Sequence, residues 1–200
     1  MTNPLFVFVA AATALGTLAG CHGSVSIGSP TPSSAASAGS QSRTVTPAPT
    51  DYAKLLISAS DIPTNGEPFT ALDPVRNPFG KTGIEGRFTN ASGSRQIGDT
   101  ILVQPDPAEA AAALTNFKTN IDANMKVTGT PQPAAIGADG MLYPGTTPDG
   151  SQAVTTLLFT EGRADVILEF HSAPDDPIPP DAAVELGQKQ DAALKQGLSG

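Results

Sequence analysis

The stretch "AVTTLLFTEGRADVILEFHS", residues 153–172, decides the fold. Its two halves are rich in β-branched and apolar residues, and Glu161-Gly162-Arg163 between them is a turn signal. In the second half apolar and polar residues alternate. The apolar set is Val166, Leu168 and Phe170, and the polar set is Asp165, Glu169 and His171. Because successive strand residues point to opposite faces, the stretch predicts a β-hairpin with one apolar and one polar face.

A second hairpin is predicted upstream. "GIEGRFTN" (83–90) alternates, with Ile84 and Phe88 on one face and Glu85, Arg87 and Thr89 on the other. After a turn at 91–94, "RQIGDTILV" (95–103) returns with its isoleucines on one face. A further short strand is predicted at Met141-Leu142-Tyr143.

Helices are predicted between and beside these strands. "PDPAEAAAALTNFKTNIDANM" (105–125) has Asp106 as N-cap and Pro107 in the first turn. Its apolar stripe consists of Ala110, Leu114, Phe117 and Ile121. A short helix is predicted over 51–57 with Asp51 as N-cap, and a longer one from Pro180, with Val184, Leu194 and Leu198 inward. Hairpins flanked by helices predict an α+β fold, an antiparallel β-sheet packed with helices in a single domain over residues 51–200.

The N-terminus predicts a targeting segment. The apolar run from Leu5 to Leu18 is too short to span a bilayer and suits the core of a signal peptide. It ends in Leu18-Ala19-Gly20-Cys21, which resembles the lipobox of bacterial lipoproteins. That resemblance implies cleavage after residue 20 and a diacylglyceryl group on Cys21, the one cysteine of the chain. Two acyl chains hold a protein stably on a membrane.

Residues 21–50 are predicted to be a lipidated N-terminus and a disordered linker. The segment consists mostly of Ser, Thr, Ala, Pro and Gly and has one charge, Arg43, so it cannot bury enough apolar surface to offset its ordering entropy. As a flexible coil it would reach roughly 30 Å from the membrane.

Residues 51–200 are acidic. They hold nineteen carboxylates against ten lysines and arginines, a net charge of −9. Nucleic-acid partners require a basic face and are therefore not expected. With no cysteine outside Cys21, the domain cannot form disulfides and depends on its apolar core.

The sequence lacks the catalytic and metal-binding motifs that are most informative for hydrolases and zinc enzymes. The sequence has no G-x-S-x-G and no H-E-x-x-H, and residues 51–200 contain one histidine, so neither a catalytic residue, a metal site nor a cofactor is predicted. The best polar cluster is "EFHSAPDD", with Glu169, His171, Asp175 and Asp176 as candidate binding residues. The alternative is a solvated strand end followed by an acidic loop.

Several segments together resemble a known family. The lipobox, the linker, "LLISASDIP" (55–63) and "QKQDAALKQGL" (188–198) are similar to small cell-envelope lipoproteins of mycobacteria. The domain layout also resembles the extracellular sensor domain of mycobacterial serine/threonine kinases of the PknH type. The resemblance implies a compact α+β domain on the extracytoplasmic face of the cell membrane. Of the family's functional residues, only Cys21 is carried over.

The expected function is therefore a non-catalytic, membrane-anchored domain. It would bind an envelope ligand or a surface protein, neither of which the sequence identifies. The alternative is a lipid or glycolipid carrier with a hydrophobic cavity between sheet and helices. An enzyme would bring His171 together with a hydroxyl and a carboxylate in a cleft.

Overall fold

The computed structural model describes residues 51–63 and 67–198. These residues form an antiparallel sheet of nine strands packed with helices, which confirms the predicted α+β fold. The predicted signal peptide (1–20), Cys21 and the linker (21–50) lie outside the described residues.

The sheet consists of two groups of strands. The strands are β1 (Phe69–Ala71), β2 (Val75–Arg76), β3 (Gly83–Asn90), β4 (Gln96–Val103), β5 (Lys126–Val127), β6 (Gln132–Pro133), β7 (Ala138–Thr146), β8 (Ala153–Glu161) and β9 (Ala164–Ser172). The first group is β1 to β4 and the second is β5 to β9. Their order is β1-β3-β4-β9-β8-β7-β5, with β2 also paired to β3 and β6 to β7. Both predicted hairpins are present, as β3–β4 and β8–β9. The pairing of β4 with β9 joins one group to the other.

Two α-helices pack on opposite faces of the sheet. Helix α2 (Pro180–Gly197) covers one face together with the segment around Leu55, and α1 (Pro107–Thr119) covers part of the other face over β8 and β9. Asp106 caps α1 as predicted, because its carboxylate accepts a hydrogen bond from the Glu109 backbone N–H at 2.9 Å.

Two predicted helices are shorter than expected. Helix α1 ends at Thr119, and Ile121 lies in a separate 3-10 turn (Ile121–Ala123). Side chains in its last turns, Thr119 and Asn120, donate hydrogen bonds to backbone carbonyls four residues earlier, a local alternative that favours helix ends. The helix predicted over 51–57 is one 3-10 turn (Tyr52–Leu55), with Asp51 as its N-cap. Further 3-10 turns are Ala59–Asp61 and Pro78–Gly80.

The face under α2 carries the larger apolar core. Ile97, Ile101, Val166, Leu168 and Phe170 point to this face, as the alternation predicted. A smaller cluster under α1 is centred on Leu114, Leu158 and Ile167. On β4 and β9, the residues that alternate with those facing α2 therefore face α1 or the space beside it.

A polar network crosses the larger core and has no local signal in the sequence. The fully buried Gln190 of α2 donates to the Leu55 carbonyl at 2.8 Å and accepts from the Ile57 N–H at 3.2 Å. Gln190 thereby connects the segment from Leu55 to Ile57 to helix α2. Asp99 of β4 is also 0% exposed, and neither of its carboxyl oxygens has a hydrogen-bond partner among the described residues.

Burial raises the pKa of Asp99 to about 8, and the Ile57 N–H opposes this shift without satisfying either oxygen. The folded chain therefore keeps a proton on Asp99 up to this pH, whereas the unfolded chain releases it near the ordinary value of 3.8. The stability that protonation contributes is complete below the unfolded pKa and is lost as the pH rises through about 8.

We predict that Asp99→Asn flattens the pH dependence of stability. Between pH 5 and pH 8 the free energy of unfolding of the unaltered protein should fall faster than that of the variant, by at most about 1.4 kcal/mol per pH unit. Urea unfolding across this range measures it. The exposed Asp122→Asn serves as the control and should follow the unaltered protein. Parallel profiles for Asp99→Asn and the unaltered protein would contradict a protonated Asp99.

Candidate functional site

A depression lies beside α1 on the face of the sheet opposite α2. Its floor is Gly98 of β4, whose position bears no side chain and is partly exposed. Apart from Gly98 and its chain neighbours Ile97 and Asp99, no described atom comes within 4 Å of the place that a Cβ would occupy there. The space directly above Gly98 is therefore open.

Strand register supplies the walls of this depression. Gly98 pairs with Arg87 on β3 and with Glu169 on β9, so these two side chains stand on either side of it. Two residues further along β4, Thr100 stands beside Glu85 of β3. Towards the other end of the strand, His171 is paired with Gln96. We call the set Glu85, Arg87, Gly98, Thr100, Glu169 and His171 the Gly98 pit.

The charges in the pit are unevenly compensated. Arg87 Nε lies 3.4 Å from Glu85 Oε1 and forms an ion pair with it. Glu169 has no ion pair and no hydrogen bond to its side chain among the described residues. Burial, followed by the charge of Glu85, raises the pKa of Glu169 to about 7. Burial also raises the pKa of Glu85, although Arg87 opposes that shift.

Two further groups in the pit are buried polar side chains. Thr100 is 4% exposed, and its hydroxyl makes no hydrogen bond within residues 51–63 and 67–198. His171 is 9% exposed, and burial lowers its pKa to about 4, so the imidazole is neutral at pH 7. The Glu169 carboxylate and the Thr100 hydroxyl therefore make no ion pair or hydrogen bond with the described residues.

The four predicted binding residues do not form one cluster. Glu169 and His171 lie on the same face of β9, in the Gly98 pit. Asp175 and Asp176 follow the end of the strand and are exposed. Asp176 forms an ion pair with Arg95 at 2.6 Å. Strand β9 ends at Ser172, so Asp175 and Asp176 lie outside the strand that carries Glu169 and His171. Ligand binding by these four residues stays a prediction.

Glu85, Arg87, Gly98 and Thr100 were not predicted as site residues. The alternation in "GIEGRFTN" placed Glu85 and Arg87 on the polar face of β3, but only the pairing of β4 with β9 brings them near Glu169. That pairing joins segments about 65 residues apart in the chain and has no local signal. A glycine within an alternating strand was the one available cue, since it marks a close approach or a gap.

Among the described residues, no three His, Cys, Asp or Glu side chains are grouped so that they could hold a metal ion.

A separate apolar cleft lies on the α2 face. Ile62, Phe69, Ile97, Phe170 and Leu186 are among its lining residues. Its volume is about 40 Å³, whereas pockets for drug-sized ligands measure about 300–1,000 Å³. In this form the cleft does not hold an acyl chain.

No protein-family model matches the chain, and no curated protein matches it. The chain is similar to the crystal structure of the extracellular domain of PknH from Mycobacterium tuberculosis, with a TM-score of 0.49 and 8% sequence identity. The match covers 74% of this chain and 98% of the other. A similarity at this level assigns no function and no site residue.

No helix within residues 51–63 and 67–198 is both long enough and apolar enough to cross a bilayer.

We predict that the pit tolerates a side chain at position 98 without loss of stability. Gly98→Val places a β-branched residue in a strand with free space above it, so its free energy of unfolding should equal or exceed that of the unaltered protein by up to ~1 kcal/mol. Urea unfolding of both proteins measures the difference.

The matched control is Gly86→Val on the neighbouring strand. A Cβ at Gly86 would stand 3.1 Å from Leu56 Cδ2 in the packed α2 face, and overpacking there should cost about 1–3 kcal/mol. Equal destabilisation of both variants would show that the space above Gly98 is not open.

Proposed function

We propose that this protein is a lipid-anchored, extracytoplasmic domain that binds a small polar ligand in the Gly98 pit without chemically altering it. The observation that carries the binding part is the open floor at Gly98 next to the uncompensated Glu169. The anchoring part rests on the sequence Leu18-Ala19-Gly20-Cys21.

The pit has features that packing alone does not explain. A strand residue at the centre of a sheet normally contributes a side chain, and glycine there weakens the strand. A half-buried carboxylate without a partner, such as Glu169, also costs free energy. Both costs would be offset if the space and the charge serve a ligand.

The arrangement of hydroxyls supports binding over catalysis. A hydroxyl nucleophile needs an adjacent base. The Thr156 hydroxyl, across from Glu169 on β8, instead donates to the sulfur of Met125 at 3.2 Å. The Thr100 hydroxyl makes no hydrogen bond within the described residues. Ser172, next to His171 in sequence, points to the opposite face of the sheet.

The carrier alternative remains a second candidate. It would use the cleft between the sheet and α2, where Ile97, Phe170 and Leu186 already form an apolar lining. With a volume of about 40 Å³, that cleft would have to open several-fold to admit a lipid. The pit needs no such change, and it is therefore the preferred site.

We predict that Cys21 carries the membrane anchor. When the full chain is expressed in a bacterium with a lipoprotein pathway, intact-mass spectrometry of the membrane fraction should find a mature protein that begins at Cys21 and bears a diacylglyceryl group. Cys21→Ser should abolish both the lipid mass and the membrane association. Ser24→Ala, three residues further on, is the control and should retain both. Recovery of Cys21 as a free thiol in the unaltered protein would refute the anchoring part of the proposal.

A further inference from the structure

We propose that the Gly98 pit binds a primary ammonium group, with the Glu169 carboxylate as its counter-ion. This inference rests on the proposed function, because it assumes that the pit is a binding site. It adds the chemical class of the ligand.

The charges in the pit favour a cationic ligand. The pit contains the carboxylates of Glu85 and Glu169 and the guanidinium of Arg87. Arg87 forms its ion pair with Glu85 at 3.4 Å, and no ion pair to Glu169 occurs among the described residues, so the two carboxylates share one cation. An anion such as phosphate would meet two carboxylates here. A cation would supply the missing partner, and it would also relieve the repulsion between Glu169 and Glu85 that contributes to the raised pKa of Glu169.

Hydrogen bonding selects an ammonium among the cations. An ammonium has three N–H donors and no acceptor. The pit offers matching acceptors, which are the Glu169 carboxylate and the unused hydroxyl of the 4% exposed Thr100. The carboxylate of Glu85, which is 9% exposed, stands beside Thr100 as a further acceptor. A metal ion would need several carboxylate or imidazole ligands, and no such group of three occurs among residues 51–63 and 67–198.

The shape of the pit limits the rest of the ligand. Arg87 and Glu169 flank Gly98 from strands on either side of β4, so their backbones are roughly 10 Å apart. Their side chains narrow this gap further. An ammonium at the end of an unbranched alkyl chain fits such a slot. That chemistry occurs both in free aliphatic amines and in the lysine side chain of a partner protein.

Isothermal titration calorimetry with the full chain tests the proposal. Putrescine is titrated at pH 8 in 150 mM salt, where non-specific attraction to an acidic surface is largely screened. The matched compound is 1,4-butanediol, which keeps the four-carbon chain and replaces both amines by hydroxyls. We expect saturable binding of putrescine at least tenfold tighter than that of the diol.

Two variants locate the binding. Gly98→Val fills the pit and leaves every charge in place, so it separates the pit from the acidity of the surface. Glu169→Gln removes the charge and keeps the shape. Each should weaken putrescine binding at least tenfold. Glu109→Gln removes an exposed carboxylate of α1 and should leave binding unchanged.

The pH dependence gives an independent readout. With a pKa of about 7 for Glu169, binding should be about tenfold weaker at pH 6 than at pH 8, because protonation removes the counter-ion. Other titratable groups lie on this face. The pKa of Glu85 is also raised, so protonation of Glu85 acts in the same direction as that of Glu169. The pKa of Asp165 is about 6, that of His171 is about 4, and that of Tyr143 is raised above its ordinary 10. In Glu169→Gln most of this pH dependence should disappear.

Each outcome decides the inference. Selective putrescine binding that is lost in both variants supports it, and a titration with Nα-acetyl-lysine amide then shows whether a lysine side chain binds more tightly than the free amine. Equal binding of putrescine and the diol would overturn the ammonium inference and leave the pit as a binding site. Putrescine binding that persists in Gly98→Val would overturn it as well, since it would come from the surface charge. A lack of binding by both compounds would exclude an ammonium site without testing the membrane anchor.

Discussion

The pairing of β4 with β9 is the constraint on which the rest of the structure depends. The two strands match residue for residue from Gln96–His171 to Val103–Ala164, and they join the β3–β4 hairpin to the strands β7, β8 and β9. Because side chains alternate between faces, a slip of one residue would place Ile97, Ile101 and their partners on the wrong side. The same register sets Gly98 opposite Glu169. The core and the candidate site therefore share one determinant.

The two faces of the sheet serve different purposes. One face is covered by α2. Gln190 of this helix is hydrogen-bonded to the Leu55 carbonyl at 2.8 Å and to the Ile57 N–H at 3.2 Å. The other face is closed by α1 over β8 and β9, while the polar row on β3, β4 and β9 carries the pit. Without disulfides to stabilise it, the domain relies on the first face for its stability. The second face can then hold buried charge at a cost that the larger core offsets.

Local patterns predicted the local structure. The alternation in 153–172 and 83–90 predicted both hairpins and the face of each side chain, including Glu169 and His171 on one side of β9. Features that depend on distant pairings were not predictable. The short strands β1, β2, β5 and β6 have too few residues for a periodic signal, and they exist because a neighbouring long strand offers its edge. The buried Asp99 and Gln190 look like ordinary polar residues in the sequence. They become core groups only when the segment around Ile57 packs against both of them. Likewise, Gly98 becomes the floor of a pit only when β9 lies beside it.

Carboxyl-carbon NMR of the full chain tests whether the Glu169 carboxylate in the Gly98 pit receives a cationic ligand. The Glu169 resonance is assigned by Glu169→Gln and followed through a pH titration with and without putrescine. We expect Glu169 to titrate near pH 7 alone and at a clearly lower pH when putrescine is bound, because a bound ammonium stabilises the ionised form. A Glu169 titration that putrescine leaves unchanged, while the diamine is present in excess, would contradict it.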